Sequence, residues 1–277
     1  MATTFDPAGF PAQAPVIALL IDADNISHSK IAPILSELAK YGTANVRRAY
    51  GDWTGTSLKG WKGKLHEFAI RPIQQFSYSA GKNASDMALV IDAMELLYTK
   101  RPAAFCLVSS DADFTPLVMH LRDAGCAVYG FGERKTPDPF VNACTTFLYL
   151  DSLAESDAVA SVPEPEVVEA KPATKPTEPK VEAKAAKPGN KLAQDTKLVR
   201  TLRNAVEASM RDDGWALMSA AGSNAKRVSS LDPRNYGVKN FPALFEATGL
   251  FDIFRPAGGQ PLVSDKRNLD RAKTPQP

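Results

Sequence analysis

Five aspartates, Asp22, Asp24, Asp86, Asp111 and Asp113, stand where apolar segments give way to loops or helices. Asp22 and Asp24 follow the run Val16-Ile17-Ala18-Leu19-Leu20-Ile21, Asp111 and Asp113 follow Phe105 to Ser109, and Asp86 opens a helix behind Ser85. Carboxylates gathered on one edge repel one another unless protons or a cation neutralise them, and their hard oxygens suit Mg²⁺ or Mn²⁺. Taken singly, each could instead be a helix N-cap or a first-turn residue favoured by the macrodipole. Their common position at strand ends, with Asn25 beside them, favours a site. Asp92 lies six residues beyond Asp86. At roughly 100° per residue that is about 120° round the helix, so both cannot face one metal. Asp86 takes precedence, and Asp92 becomes a supporting or structural residue. His28, His66 and His120 are scattered and read as structural or surface residues, which leaves no support for a Ser or Cys triad.

The elements that must position these residues alternate. Val16 to Ile21 reads as a strand buried on both faces, and residues 26 to 41 carry Ile31, Ile34, Leu35 and Leu38 at helical spacing. Further strands are expected over 45–50, 70–78, 105–109 and 127–131, and helices over 86–98 and 114–124, with Gly125 as a C-terminal cap. This order predicts an α/β fold: a parallel sheet flanked by helices, with its site at the carboxyl ends of the strands near a topological switch.

Composition narrows the class. The chain has 277 residues and a formal charge of +2, and no apolar run approaches the roughly 20 residues that span a bilayer. Residues 1–14, with no Lys or Arg, read as a disordered leader rather than a signal peptide, so a cytoplasmic protein is expected. Cys106, Cys126 and Cys144 lack the spacing of a disulfide framework or zinc site and read as small core residues. Charge is uneven: segments 1–150, 151–190 and 191–277 carry 0, −3 and +5. The Pro, Ala, Glu and Lys of residues 152–191 bury too little to offset ordering entropy and predict a disordered linker. The sequence thus predicts separate folded units at 15–151 and 192–265, and a disordered tail at 266–277.

In the second unit, Leu198, Leu202, Val206 and Met210 repeat at helical spacing. A helix is expected from Ala216 to about Ala225, and another after Asn240. Segments 251–255 and 261–264 flank the turn Ala257-Gly258-Gly259-Gln260, so three helices and a hairpin predict a small winged helix.

Trp53, Lys59, Trp61, Lys62 and Lys64 crowd one stretch of the first unit. Exposed Trp faces can stack on unpaired bases while ammonium groups meet phosphates, although the same Trp residues could simply cover the core. Arg47, Arg48 and Lys82 add charge nearby, and Lys82 could also serve only to support Asp86.

The phrases Leu20-Ile21-Asp22-Ala23-Asp24-Asn25, Lys82-Asn83-Ala84-Ser85-Asp86 with Asp92, and Val108-Ser109-Ser110-Asp111-Ala112-Asp113-Phe114 resemble the NYN domain family of PIN-like ribonucleases. The resemblance implies metal-dependent hydrolysis of RNA phosphodiesters. It assigns Asp22, Asp86, Asp111 and Asp113 as ligands of Mg²⁺ or Mn²⁺ and Asn25 as an orienting side chain; Asp24, Asp92 and Ser110 are expected to lie around them in support. Ser110 stands where relatives often have Gly. Asp213-Gly214-Trp215-Ala216, Leu231-Asp232-Pro233-Arg234-Asn235-Tyr236-Gly237 and residues 244–251 are similar to the OST-HTH or LOTUS domain. That similarity implies an RNA-binding module, or in some relatives a protein-binding one, with Lys226, Arg227, Arg234, Tyr236, Lys239 and Asn240 as candidate contacts. RNA is the expected partner, with a protein partner or a homodimer also open. Two other readings remain at this level. Asp22-Ala23-Asp24 also resembles the first motif of haloacid-dehalogenase phosphatases, but Ile26 replaces the usual Thr and no cap domain is apparent. The other is a non-catalytic RNA-binding scaffold.

Overall fold

The computed structural model describes residues 14–76, 84–157, 192–256 and 258–275. The predicted leader to residue 13, most of the predicted linker, Lys82, Asn83 and the end of the segment predicted over 70–78 lie outside the described residues. The described residues up to 154, with 223–238, pack as one compact unit, and the described residues of 155–222 and from 239 onward pack as another.

The first unit is built on β1 (Val16–Asp22), β2 (Thr43–Gly51), β3 (Arg71–Gln74), β4 (Ala104–Val108), β5 (Ala127–Gly132) and β6 (Thr146–Tyr149). They form a six-stranded sheet in the order β3-β2-β1-β4-β5-β6, with every pairing parallel. The chain steps outward from β1 to β3, then returns to the other side of β1 with β4. The order therefore reverses between β1 and β4, where Ile21 stands opposite Val108.

Helices cover both faces, and β1 shows why. Ile17, Leu19 and Ile21 point to one side, against Ile31, Ile34 and Leu38 of α1 (Ile31–Leu38) and Trp61 of α2 (Trp61–Glu67). Ala18 and Leu20 point to the other side, against Leu89, Ala93 and Leu96 of α3 (Ala84–Thr99) and Leu117, Val118 and Leu121 of α4 (Thr115–Asp123). Because side chains alternate along a strand, Asp22 shares the face of Leu20 and α3.

The short β6, α2, α5 (Asp138–Ala143) and α6 (Leu150–Asp157) are additions to the predicted elements. Cys106 and Cys144 are buried, and Cys126 is half-buried.

Residues 192–275 contain α7 (Thr196–Glu207), β7 (Ala216–Leu217), α8 (Met218–Ser229), α9 (Phe241–Thr248), β8 (Phe251–Phe254) and β9 (Leu262–Asp265). Three strands pair antiparallel in the order β7-β9-β8. Ala216, expected to open a helix, instead pairs with Val263. The first helix ends before Met210, which is exposed. In the described part of the tail beyond residue 265, Trp215 Nε1 donates to the Ala272 carbonyl at 3.0 Å, and the Arg271 guanidinium lies over the Trp215 ring. By packing, Ser223 to Val238 belongs to the first unit. There the Asn235 amide accepts from Tyr149 N–H at 3.0 Å and donates to the Phe147 carbonyl at 2.9 Å, matching the backbone of edge strand β6.

Candidate active site

Asp22 ends β1 with 1% of its surface exposed. Its Oδ2 accepts from Asn25 Nδ2 at 2.9 Å and from Ser109 Oγ at 2.8 Å. Its Oδ1 is buried without a hydrogen-bond partner. Burial raises the Asp22 pKa, opposed by the Asn25 and Ser109 bonds.

Ser109 extends β4 and lies on the face shared by Phe105 and Leu107. Its Oγ also accepts from Asp111 N–H at 3.1 Å, so one buried hydroxyl links Asp22 to the Asp111 turn. Asp111 caps the short 3-10 turn Ala112–Phe114, accepting from Asp113 N–H at 2.9 Å. Gly132 permits this packing, because a Cβ there would lie 2.7 Å from the Ser109 carbonyl oxygen.

Asp86 lies in the first turn of α3. Its pKa is pushed up to about 6, first by burial and then by the charges of Asp22, Asp111, Asp24 and Asp113. The predicted carboxylates therefore converge on one another electrostatically. Among the described residues, however, no three His, Cys, Asp or Glu side chains stand at the spacing of a closed metal site. Asp24 is exposed and ties the start of α3 to the β1 loop by accepting from Ser85 Oγ at 2.6 Å.

Asp92 is placed away from this cluster, paired with Arg48 and accepting from the Tyr50 hydroxyl. Ser110 faces away as well, its Oγ accepting from Glu133 N–H at 2.8 Å. Ser109, which sequence reasoning passed over, makes the contact with Asp22. Its signal was its place on the Leu107 side of the strand.

Most of the predicted RNA-contact residues of the first unit are committed elsewhere. Trp61 is in the core, and Trp53 is half-buried with its Nε1 donating to the Ile73 carbonyl at 2.9 Å, so neither presents an open stacking face. Arg47 donates to the Ala44 and Phe68 carbonyls, Arg48 is held by Asp92, and Lys64 pairs with Glu67. Lys62 remains exposed. Arg234, half-buried and expected as an RNA contact, bonds Asp232, Glu37 and Tyr41. Asn240 caps α9, Tyr236 is half-buried, and Lys226, Arg227 and Lys239 are exposed. A further basic group was missed. Lys30, Arg134 and Lys135, with Ser27, Glu133, Leu150 and Asp151, line a cavity of about 290 Å³ at the carboxyl ends of β1, β5 and β6.

Two family models match the chain. Residues 16–151 match the NYN domain and residues 192–263 match the OST-HTH/LOTUS domain. The chain carries an NYN domain followed by an OST-HTH/LOTUS domain. NYN domains are PIN-like nucleases and OST-HTH domains bind RNA, which supports a nuclease with an RNA-binding module. No curated protein matches the sequence. The crystal structure of a protein of unknown function, VPA0982 from Vibrio parahaemolyticus, is similar over 51% of this chain and 96% of its own, with 17% identity and a TM-score of 0.44. Among the described residues no helix is long and apolar enough to cross a membrane.

Proposed function

We propose that the NYN domain is a metal-dependent ribonuclease whose centre is Asp22, Asp86, Asp111 and Asp113. The observation that carries this reading is Asp22 Oδ1, a buried carboxylate oxygen left without a partner, near the Asp86 carboxyl whose pKa burial and the surrounding aspartates raise. An all-oxygen donor set of this kind fits a hard divalent cation such as Mg²⁺ or Mn²⁺. Asp22 and Asp86 would hold it, with Asp111 and Asp113 completing the donor set. A cation bound there supplies an activated water and neutralises nonbridging phosphate oxygens. The Asn25 and Ser109 bonds favour the charged form of Asp22 against the effect of burial and fix it through Oδ2, leaving Oδ1 for the ligand. Lys30, Arg134 and Lys135 line the cavity at the same sheet edge but are held by Asp151, the Asn235 carbonyl and Glu133, and would take a flanking phosphate only by exchanging those partners.

The test is incubation of the full chain with labelled single-stranded RNA and DNA, with Mg²⁺, Mn²⁺ or EDTA. Cleavage of RNA that stops in EDTA and in Asp111→Asn is expected. Asp111→Asn keeps the side-chain shape while removing a charge, so full activity in that variant, or in EDTA, would sink the assignment.

A further inference from the structure

We propose that the chain forms a two-fold dimer through the outer face of α3, and that the second copy brings basic side chains to the candidate active site. The α3 sequence from Ala84 to Thr99 is apolar nearly all round, a pattern expected of a helix covered on more than one side. Its inner face buries Leu89, Ala93, Leu96 and Leu97. Its outer face leaves Met87, Ile91 and Tyr98 exposed by 59%, 64% and 63%, with half-buried Met94 in the same row. At roughly 100° per residue these four fall within about 60° of arc. Their spacing of four, three and four residues is that of a helix-pairing seam.

The seam itself names its occupant. Met87 and Tyr98 are equidistant from the point between Asp92 and Ala93, and so are Ile91 and Met94. An antiparallel copy of α3 would set Met87 against the partner's Tyr98 and Ile91 against the partner's Met94, an isologous contact in which each pair occurs twice. Methionine against an aromatic ring is a favourable pairing. Charge agrees. Asp86 lies at one end of α3, while Lys100 and Arg101, both exposed, follow the other end. Antiparallel pairing sets opposite charges at the same end of the pair and opposes the helix dipoles.

Placement gives the pairing a consequence for the site. The start of α3 lies at the carboxyl edge of the sheet, where Ser85 bonds Asp24, and the helix runs back from that edge. In the antiparallel pair the partner's Lys100 and the partner's Arg101 reach the end at which Asp86 sits, where they would meet phosphates of a bound strand. This consequence rests on the nuclease reading, whereas the dimer does not. One helix pair about 24 Å long covers less than the ~800 Å² per partner of a standard interface, so the dimer is weak and concentration-dependent.

Sedimentation velocity of the full chain from about 1 to 100 μM tests the association. The expected result is a shift from monomer toward dimer, abolished by Ile91→Glu, which changes an exposed position and leaves the fold intact. A wild-type chain monomeric throughout, or an Ile91→Glu chain that dimerises equally, overturns the proposal. The interface is tested separately by mild oxidation of an Ile91→Cys/Met94→Cys chain, which should give a covalent dimer, with Met119→Cys on exposed α4 as control. Equal cross-linking in the control counts against the α3 seam. For the basic residues, Asp111→Asn chains are mixed with Lys100→Glu/Arg101→Glu chains. Cleavage restored at least several-fold over either alone supports delivery across the dimer, and no gain removes it. If the wild type cleaves nothing, the nuclease reading fails while the sedimentation result stands.

Discussion

Asp22 and Asp86 show what a cluster of carboxylates costs before a ligand arrives. The Asp86 pKa, raised from 3.8 to about 6, means that the folded chain holds this proton more tightly than the unfolded chain. The associated stability is fully present below about pH 4 and is lost as pH rises through about 6. Asp86→Asn removes the charge. In EDTA at pH 7 it should therefore raise stability by on the order of 1 kcal/mol after allowance for solvent screening, and the melting temperature with it, while cleavage disappears. A variant less stable than wild type under those conditions contradicts the electrostatic account. Ser109 makes a second case, since its hydroxyl serves both Asp22 and Asp111. Ser109→Ala should lower cleavage roughly 10- to 100-fold, the range typical of groups that orient metal ligands. The loss should appear as weaker metal activation, read from the Mn²⁺ concentration giving half-maximal rate, and an unchanged value would deny Ser109 that role.

At the scale of elements, α3 serves two purposes through residues that sequence spacing had separated. Asp86 and Asp92 do diverge, as the helical angle requires, and Asp92 ties α3 to β2 through Arg48 and Tyr50. Burial and then Asp92 raise the Tyr50 pKa, so its hydroxyl remains a donor. Asp92→Ala leaves Arg48 half-buried and unpaired and should cost about 2–3 kcal/mol in urea unfolding, less than a fully buried pair. A loss under about 0.5 kcal/mol would reduce the pair to a surface contact. The strands with long apolar runs, and the reversal that gathers Asp22 and Asp111, were legible because alternation and burial on both faces are local patterns. Four-residue β6 was not, because Thr146 to Tyr149 shows neither a long run nor alternation and is held by pairing with β5. The fates of Trp61 and Arg48 were equally hidden. A Trp or Arg of given spacing reads the same whether it meets a base, a core or an aspartate more than 40 residues away.

For the whole molecule the decisive residues are Arg234, expected as an RNA contact, and Asn235 of the same motif. Glu37 is almost fully buried in the first unit and is paired by Arg234, with Lys40 and Tyr41 as its other partners. Asp232 first, and then Glu37 and Tyr41, hold Arg234 charged against the cost of burial. Ser230 Oγ donates to the Cys144 carbonyl nearby, and Asn235 completes the backbone of β6. Deleting residues 192–277 would strip these partners away, leaving a buried carboxylate and edge-strand groups less well satisfied. A loss of about 2–4 kcal/mol follows from those terms. A flexible tether alone would predict none. Arg234→Ala in the full chain separates the two ideas, because it should lower the melting temperature while leaving RNA affinity and its salt slope nearly unchanged. Lys226→Ala/Arg227→Ala, at exposed basic positions, should do the reverse, weakening RNA binding and flattening its dependence on salt as fewer counterions are released. Thermal melts and binding titrations at two salt concentrations decide the matter. An Arg234→Ala chain that melts with the wild type but binds RNA more weakly would return Arg234 to the RNA surface.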